Sequence, residues 1–141
     1  MLVVIDANVV CSALLARGKA LDVLLSGKLD PVAPELLFFE VEKHTHELFE
    51  KTKLSAAEFS TFLLLLRKKI RIIPAEEFES SVREAYRLLH PHIKDVPYVA
   101  LASHFNCPLW SKEKRLKELK HLEVLDAEQV AKRIGLSPTE K

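Results

Sequence analysis

Leu2-Val3-Val4-Ile5-Asp6 is the stretch whose reading decides the fold. Four consecutive apolar residues, three of them β-branched, leave no polar face for solvent. A strand with both faces buried belongs in the middle of a parallel sheet. Further short apolar runs follow at Pro31-Val32-Ala33, Arg71-Ile72-Ile73, Pro108-Leu109-Trp110 and Glu123-Val124-Leu125, and helical patterns separate them. This alternation predicts an α/β fold of three layers, α/β/α, with a central five-stranded parallel sheet.

The helical segments are read from their punctuation. One runs from roughly Ala13 to Ser26, interrupted near Gly18 and closed by Gly27 as a C-cap. Pro34 suits the first turn of the next, which reaches about Lys51. Ser55-Ala56-Ala57-Glu58 has capping-box spacing and opens a helix to Lys69. Another spans Glu76 to Leu89, with Phe78, Val82, Tyr86 and Leu89 at helical intervals. Asp95-Val96-Pro97 starts a helix to about Phe105. A short helix is expected from Lys112 to Leu119, and Asp126 caps a last one ending at Gly135. Residues 1–135 read as one domain and 136–141 as a loose tail.

Composition narrows the class. The 141 residues suit one domain of common size, ~100–150 residues, and with 48% of them apolar the chain can build a core without disulfide staples. Two cysteines, Cys11 and Cys107, are too few for a secreted disulfide framework, so a cytoplasmic protein is expected. Residues 2–16 are apolar, but no basic segment precedes them and Asp6 interrupts them, which argues against a signal peptide. The run Phe62 to Leu66 falls far short of the ~20 residues of a membrane span; it exceeds what one domain's core requires and is a candidate dimer face. The net charge of +1 gives no bulk signal for nucleic acid. Local basic clusters do occur, at Lys112, Lys114, Arg115, Lys117 and Lys120 and at Arg67, Lys68, Lys69 and Arg71.

The chemistry rests on where acids fall. Open parallel sheets bind ligands beyond the carboxyl ends of their strands, where strand order reverses. Asp6 follows the first strand, and Ser111 and Glu113 follow the fourth; if those strands are neighbours, the three share a crevice. The opening Val4-Ile5-Asp6-Ala7-Asn8-Val9-Val10 resembles the first motif of the PIN-domain family, whose members include VapC-toxin-like ribonucleases. Glu40, in Ala33-Pro34-Glu35-Leu36-Leu37-Phe38-Phe39-Glu40, matches the family's second acid. Asp95, in Lys94-Asp95-Val96-Pro97-Tyr98-Val99-Ala100-Leu101-Ala102, matches the third. Leu109-Trp110-Ser111-Lys112-Glu113-Lys114-Arg115-Leu116 is similar to the closing motif, with Glu113 where members usually carry Asp. No one motif is specific, but the ordered set spans nearly the whole chain, about residues 2 to 133.

The resemblance implies strand order 3-2-1-4-5 and phosphodiester hydrolysis in RNA that leaves a 5′-phosphate and a 3′-hydroxyl. It implies catalytic and metal-holding roles for Asp6, Glu40, Asp95 and Glu113, with Mg²⁺ or Mn²⁺ as cofactor. Hard cations take oxygen ligands, and the chain offers no thiolate or paired-histidine motif for zinc. Asn8 and Ser111 would orient the acids or the phosphate, and Lys112, Lys114 and Arg115 would attract the RNA backbone. A toxin–antitoxin pairing, an antitoxin partner and a homodimer follow as expectations.

Plainer readings stand beside these. Asp6 can begin a turn, Asp95 and Ser111 can cap helices, Glu113 can complement a helix dipole, and Glu40 can be one more exposed glutamate like Glu35 and Glu42. His44, one turn beyond Glu40, is expected to be partly buried and structural; His90 and His92 flank a proline turn and should be exposed. Cys11 and Cys107 read as small buried apolar residues. The competing function is a catalytically silent module of the same fold, binding RNA or protein. Another α/β phosphoryl-transfer class ranks lowest. A receiver domain wants paired acids after the first strand and a lysine after the last, and the haloacid-dehalogenase type wants a second Asp where Asn8 stands.

Overall fold

A computed structural model describes residues 1–16 and 18–136. The expected tail, 136–141, lies outside these apart from Leu136. Five strands form one all-parallel sheet in the order β3-β2-β1-β4-β5: β1 Leu2–Ile5, β2 Asp30–Pro34, β3 Arg71–Ile73, β4 Leu109–Trp110 and β5 Val124–Leu125. Val3, Val4 and Ile5 are fully buried, as the uninterrupted apolar run requires of a central strand. The sheet order and the α/β class are those expected from the sequence.

Eight helices flank the sheet among the described residues: α1 Ala7–Ala16, α2 Lys19–Leu25, α3 Leu36–Lys43, α4 Thr45–Lys51, α5 Ala56–Lys69, α6 Ala75–Leu89, α7 Val96–Phe105 and α8 Ala127–Arg133. Helix α7 lies against β1, β2 and β4, and α6 packs on it. Its residues Tyr98 to Ala102 are buried all round, which explains why its sequence shows no polar stripe. It ends at Asn106, which takes the left-handed conformation (φ 51°) that a short polar side chain tolerates. The expected capping box forms, Ser55 with Glu58 opening α5, and Asp126, expected as a cap, makes a full box with Gln129 at the start of α8.

Several boundaries differ from the reading of the sequence. Helix α1 starts six residues early, at Ala7, because the Asp6 carboxylate accepts the Val9 N–H and caps it. Pro34 closes β2 opposite Ile73 instead of opening a helix. The expected helix to Lys51 is two, divided at His44 (φ −108°, ψ 8°). Lys114–Glu118 is a tight 3₁₀ turn rather than an α-helix over 112–119.

The apolar run in α5 splits by face: Leu66 is fully buried, while Leu64 is 55% and Leu65 37% exposed. Leu66→Ala is expected to destabilise the fold by about 2–5 kcal/mol through a cavity, and Leu64→Ala by less than about 0.5 kcal/mol. Urea denaturation of both variants checks this contrast.

Candidate functional site

The register of the sheet builds the site. Ile5 pairs with Trp110 across β1 and β4, so the residues that follow, Asp6 and Ser111, emerge side by side. Asp6 is 6% exposed and Ser111 fully buried. The Ser111 hydroxyl hydrogen-bonds the Asp6 carboxylate, and the same oxygen accepts the Glu113 N–H at 3.0 Å. The Val9 N–H donates to Asp6 Oδ1 at 3.1 Å. Asp6 therefore caps α1 and also faces the crevice.

Two further acids arrive from the elements around it. Glu40, in α3 after β2, is half-buried, unlike its exposed neighbours Glu35 and Glu42, and accepts a hydrogen bond from the Tyr98 hydroxyl on α7. Asp95 ends a single 3₁₀ turn, Ile93–Asp95, directly before α7. It is 8% exposed, and its side chain caps nothing. The plain capping reading thus fails for Asp95; its Oδ2 instead accepts from Arg115 Nη2 at 3.1 Å.

Asp6, Asn8, Glu40 and Asp95 line one cavity of about 190 Å³, and Tyr98, Lys43 and Lys94 are among the other residues of its wall. The acids sense one another there. Burial pushes the Asp6 carboxyl above its usual range, and the charges of Asp95 and Glu40 add to this against the bonds from Ser111 and Val9. Burial likewise raises Asp95; Lys94 and Arg115 oppose the rise, and Glu113 adds to it. Tyr98 is pushed far up by burial, by its bond to Glu40 and by all three carboxylates, so it stays a hydrogen-bond donor. Three carboxylates that raise their neighbours share one field.

The remaining expected residues are placed differently. Glu113 stands outside the residues lining the cavity, although its charge reaches Asp95. Lys112 Nζ donates to Ser12 Oγ at 2.7 Å, Arg115 holds Asp95, and Lys114 is exposed at the start of the 3₁₀ turn. His44 is exposed at the cavity, where Nδ1 lies 3.4 Å from Glu47, rather than partly buried. His90 and His92 are exposed, as expected. Cys107 is buried as expected, but Cys11 is only half-buried and faces the cavity. Sequence reading missed Tyr98, Lys43 and Lys94. The signal was present for two of them: Tyr98 lies three residues after Asp95 and Lys43 three after Glu40, the spacing that shares a helix face.

Chemically the cavity fits a hard divalent cation. It offers three carboxylates and a carboxamide, all oxygen donors, and their mutual repulsion is the kind of unbalanced charge that a cation relieves. Among the described residues, no three His, Cys, Asp or Glu side chains lie close enough to hold an ion as they stand. Protein donors already engage the acids: Ser111 and Val9 at Asp6, Tyr98 at Glu40, Arg115 at Asp95. Closing on an ion requires side-chain rotation, and at Asp95 it requires competition with Arg115.

The profile of the PIN domain matches residues 4–130. The chain belongs to the PIN-domain family. Its fold is similar to that of the protein PAE2754 from Pyrobaculum aerophilum, with a TM-score of 0.67 at 17% identity and 96% of each chain covered. It also resembles a toxin–antitoxin complex from Klebsiella pneumoniae (TM-score 0.66, 12% identity, 89% of this chain and 97% of that one). VapBC-1 from nontypeable Haemophilus influenzae is similar too (TM-score 0.64, 14% identity, 91% and 99% covered). At such identities these likenesses concern the fold. The search of curated proteins finds no match. No helix among the described residues is long and apolar enough to cross a membrane.

A pH dependence follows from the two raised acids of this PIN domain. The folded state holds their protons to higher pH than the unfolded state does, so in the window above the ordinary aspartate value stability falls as pH rises. Below that window the penalty vanishes, and above the raised folded values it is complete. In chelator, Asp6→Asn, which keeps an acceptor for the Val9 N–H, is expected to melt increasingly above wild type between pH 4 and 7. Thermal melts across that range check it.

Proposed function

We propose that this protein is a divalent-metal-dependent endoribonuclease, with residues 1–135 forming one nuclease domain. The convergence of Asp6, Glu40 and Asp95 on one cavity at the carboxyl ends of β1 and β4 carries the reading. These three acids would hold Mg²⁺ or Mn²⁺, and Glu113, whose charge already reaches Asp95, would stand at the edge of the centre. A bound ion supplies Lewis acidity for water and for the scissile phosphate.

The chain's own groups do the rest. Ser111 and the Val9 N–H fix Asp6, and Asn8 presents a carboxamide to the cavity. Bare carboxylates repel a polyanion, so cationic groups must bring RNA in. Lys43 and Lys94 line the cavity, and no ion pair is recorded for either among the described residues. Together with Lys112, Lys114 and Arg115 on the neighbouring segment, they form the track for the phosphates on either side of the cut. The Arg67 to Arg71 cluster is elsewhere, at the amino end of β3, with Arg67 on Glu42 and Arg71 on Asp30.

Biologically the reading is a toxin with an antitoxin partner, since two of the similar structures are toxin–antitoxin assemblies. A homodimer fits the exposed Leu64 and Leu65, and a cytoplasmic setting fits the unpaired cysteines. The second reading, a silent binding module, is favoured by Arg115 on Asp95 and by Glu113 outside the cavity wall.

Three outcomes are expected. Mn²⁺ at about a hundred times its dissociation constant stabilises wild type by about 2.7 kcal/mol in thermal unfolding, while Asp6→Asn and Asp95→Asn respond little. Wild type cleaves a mixed RNA pool with Mn²⁺, and Asp6→Asn loses at least about 100-fold in rate. Stabilisation without cleavage would select the silent module. On the inactive Asp6→Asn background, Lys43→Gln and Lys94→Gln should each lower the salt dependence of RNA binding by about one unit of log–log slope, and Lys69→Gln should not. Filter binding at several salt concentrations reads this.

A further inference from the structure

Among the three acids of the cavity, Glu40 is the one with the longest side chain, and a single protein donor among the described residues holds it. Asp6 is fixed by Ser111 and by the Val9 N–H, and Asp95 by Arg115. For Glu40 the recorded hydrogen bond among the described residues is the one that Tyr98 donates to Oε1, and it joins α3 to α7 across 58 residues of sequence. Tyr98 is 2% exposed and heads the fully buried stretch of α7, where its neighbours Val99 to Ala102 carry no polar side-chain group. Its ring is locked by packing, and its hydroxyl is aimed into the cavity. That combination gives a rigid donor for a flexible carboxylate.

Resting on the metal-dependent reading above, we infer that Tyr98 is a positioning residue that sets which cation the centre accepts. With Oε1 accepting from the phenol, Oε2 is the unencumbered oxygen of Glu40. A single carboxylate oxygen suits Mg²⁺ or Mn²⁺, which require near-octahedral geometry. Ca²⁺ is larger and tolerates carboxylates that bind through both oxygens. The phenol thus disfavours the two-oxygen mode, which Ca²⁺ uses more readily than the smaller ions. A tether that merely joined α3 to α7 would have no such selectivity.

The test compares MnCl₂ and CaCl₂ binding to the full chain by isothermal titration calorimetry, in wild type and Tyr98→Phe. The variant keeps the ring and removes the hydroxyl. Mn²⁺ affinity is expected to fall about tenfold, the effect of losing a group that orients a ligand. Ca²⁺ affinity is expected to hold or rise, so that the preference for Mn²⁺ collapses. An equal change for both ions, or none, overturns the inference while leaving the nuclease reading intact. A wild type that binds neither ion removes both. Should Tyr98→Phe not fold, Tyr86→Phe leaves Tyr98 as the one tyrosine of the chain's two. Saturating Mn²⁺ must then perturb the near-ultraviolet tyrosine band, because a cation on Glu40 weakens the acceptor of the phenol, and an unmoved band counts against the assignment.

Discussion

Ile5 faces Trp110 across β1 and β4, and the arrangement at the carboxyl end of the sheet follows from that pairing. Chain direction reverses its order there: β1 is followed by β2 and β3 on one side, and β4 and β5 continue on the other. Connections diverge at such a point and leave a crevice that packing does not fill. Asp6 and Ser111 are the first residues past the two strands, so they meet in it. A one-residue slip of β4 would put a different side chain beside Asp6 and turn Trp110, now almost fully buried, to the other face. The core fixes the register, and the register fixes the site.

Collecting carboxylates in a crevice is costly, and the structure shows how the cost is contained. Each acid has at least one donor, and the donors differ in kind. Asp6 is held by its own helix and a buried hydroxyl, Glu40 by a buried phenol, and Asp95 by an arginine. The arginine contact is the least complete, because Arg115 Nε is buried without a hydrogen-bond partner while Nη2 meets Asp95. A guanidinium whose buried Nε has no partner makes a contact that a better ligand for Asp95 can displace. Hydroxyl donors, by contrast, can stay in place while a carboxylate meets a cation. Burial and repulsion together define a cavity that favours positive charge.

Much of this was legible in the residues. The apolar run ending in Asp6 predicted a central strand with an acid at its tip, because a strand with no polar face can only be interior. Asp95 ahead of Val96-Pro97 marked a helix start, since proline is at home in a first turn. The family motifs brought Asp6, Glu40 and Asp95 into one expectation, and the three line one cavity. Less legible was what depends on side-chain reach. Lys112 and Arg115 read as free cations, yet their long side chains turn back to Ser12 and Asp95. Tyr98 offered only its spacing from Asp95, and spacing alone does not tell a satisfied phenol from a functional one. The division at His44 was hidden because residues on either side have ordinary helix propensity and no glycine or proline marks the break.

Crystals of the full chain grown with Mn²⁺ and measured at the manganese edge test the central claim most directly. The account predicts an anomalous peak inside the cavity, within ligating distance of Asp6 and Asp95 and of one Glu40 oxygen, with Arg115 released from Asp95. Anomalous density found only on the outer surface, with Arg115 still on Asp95 and the three acids unmoved, would contradict it.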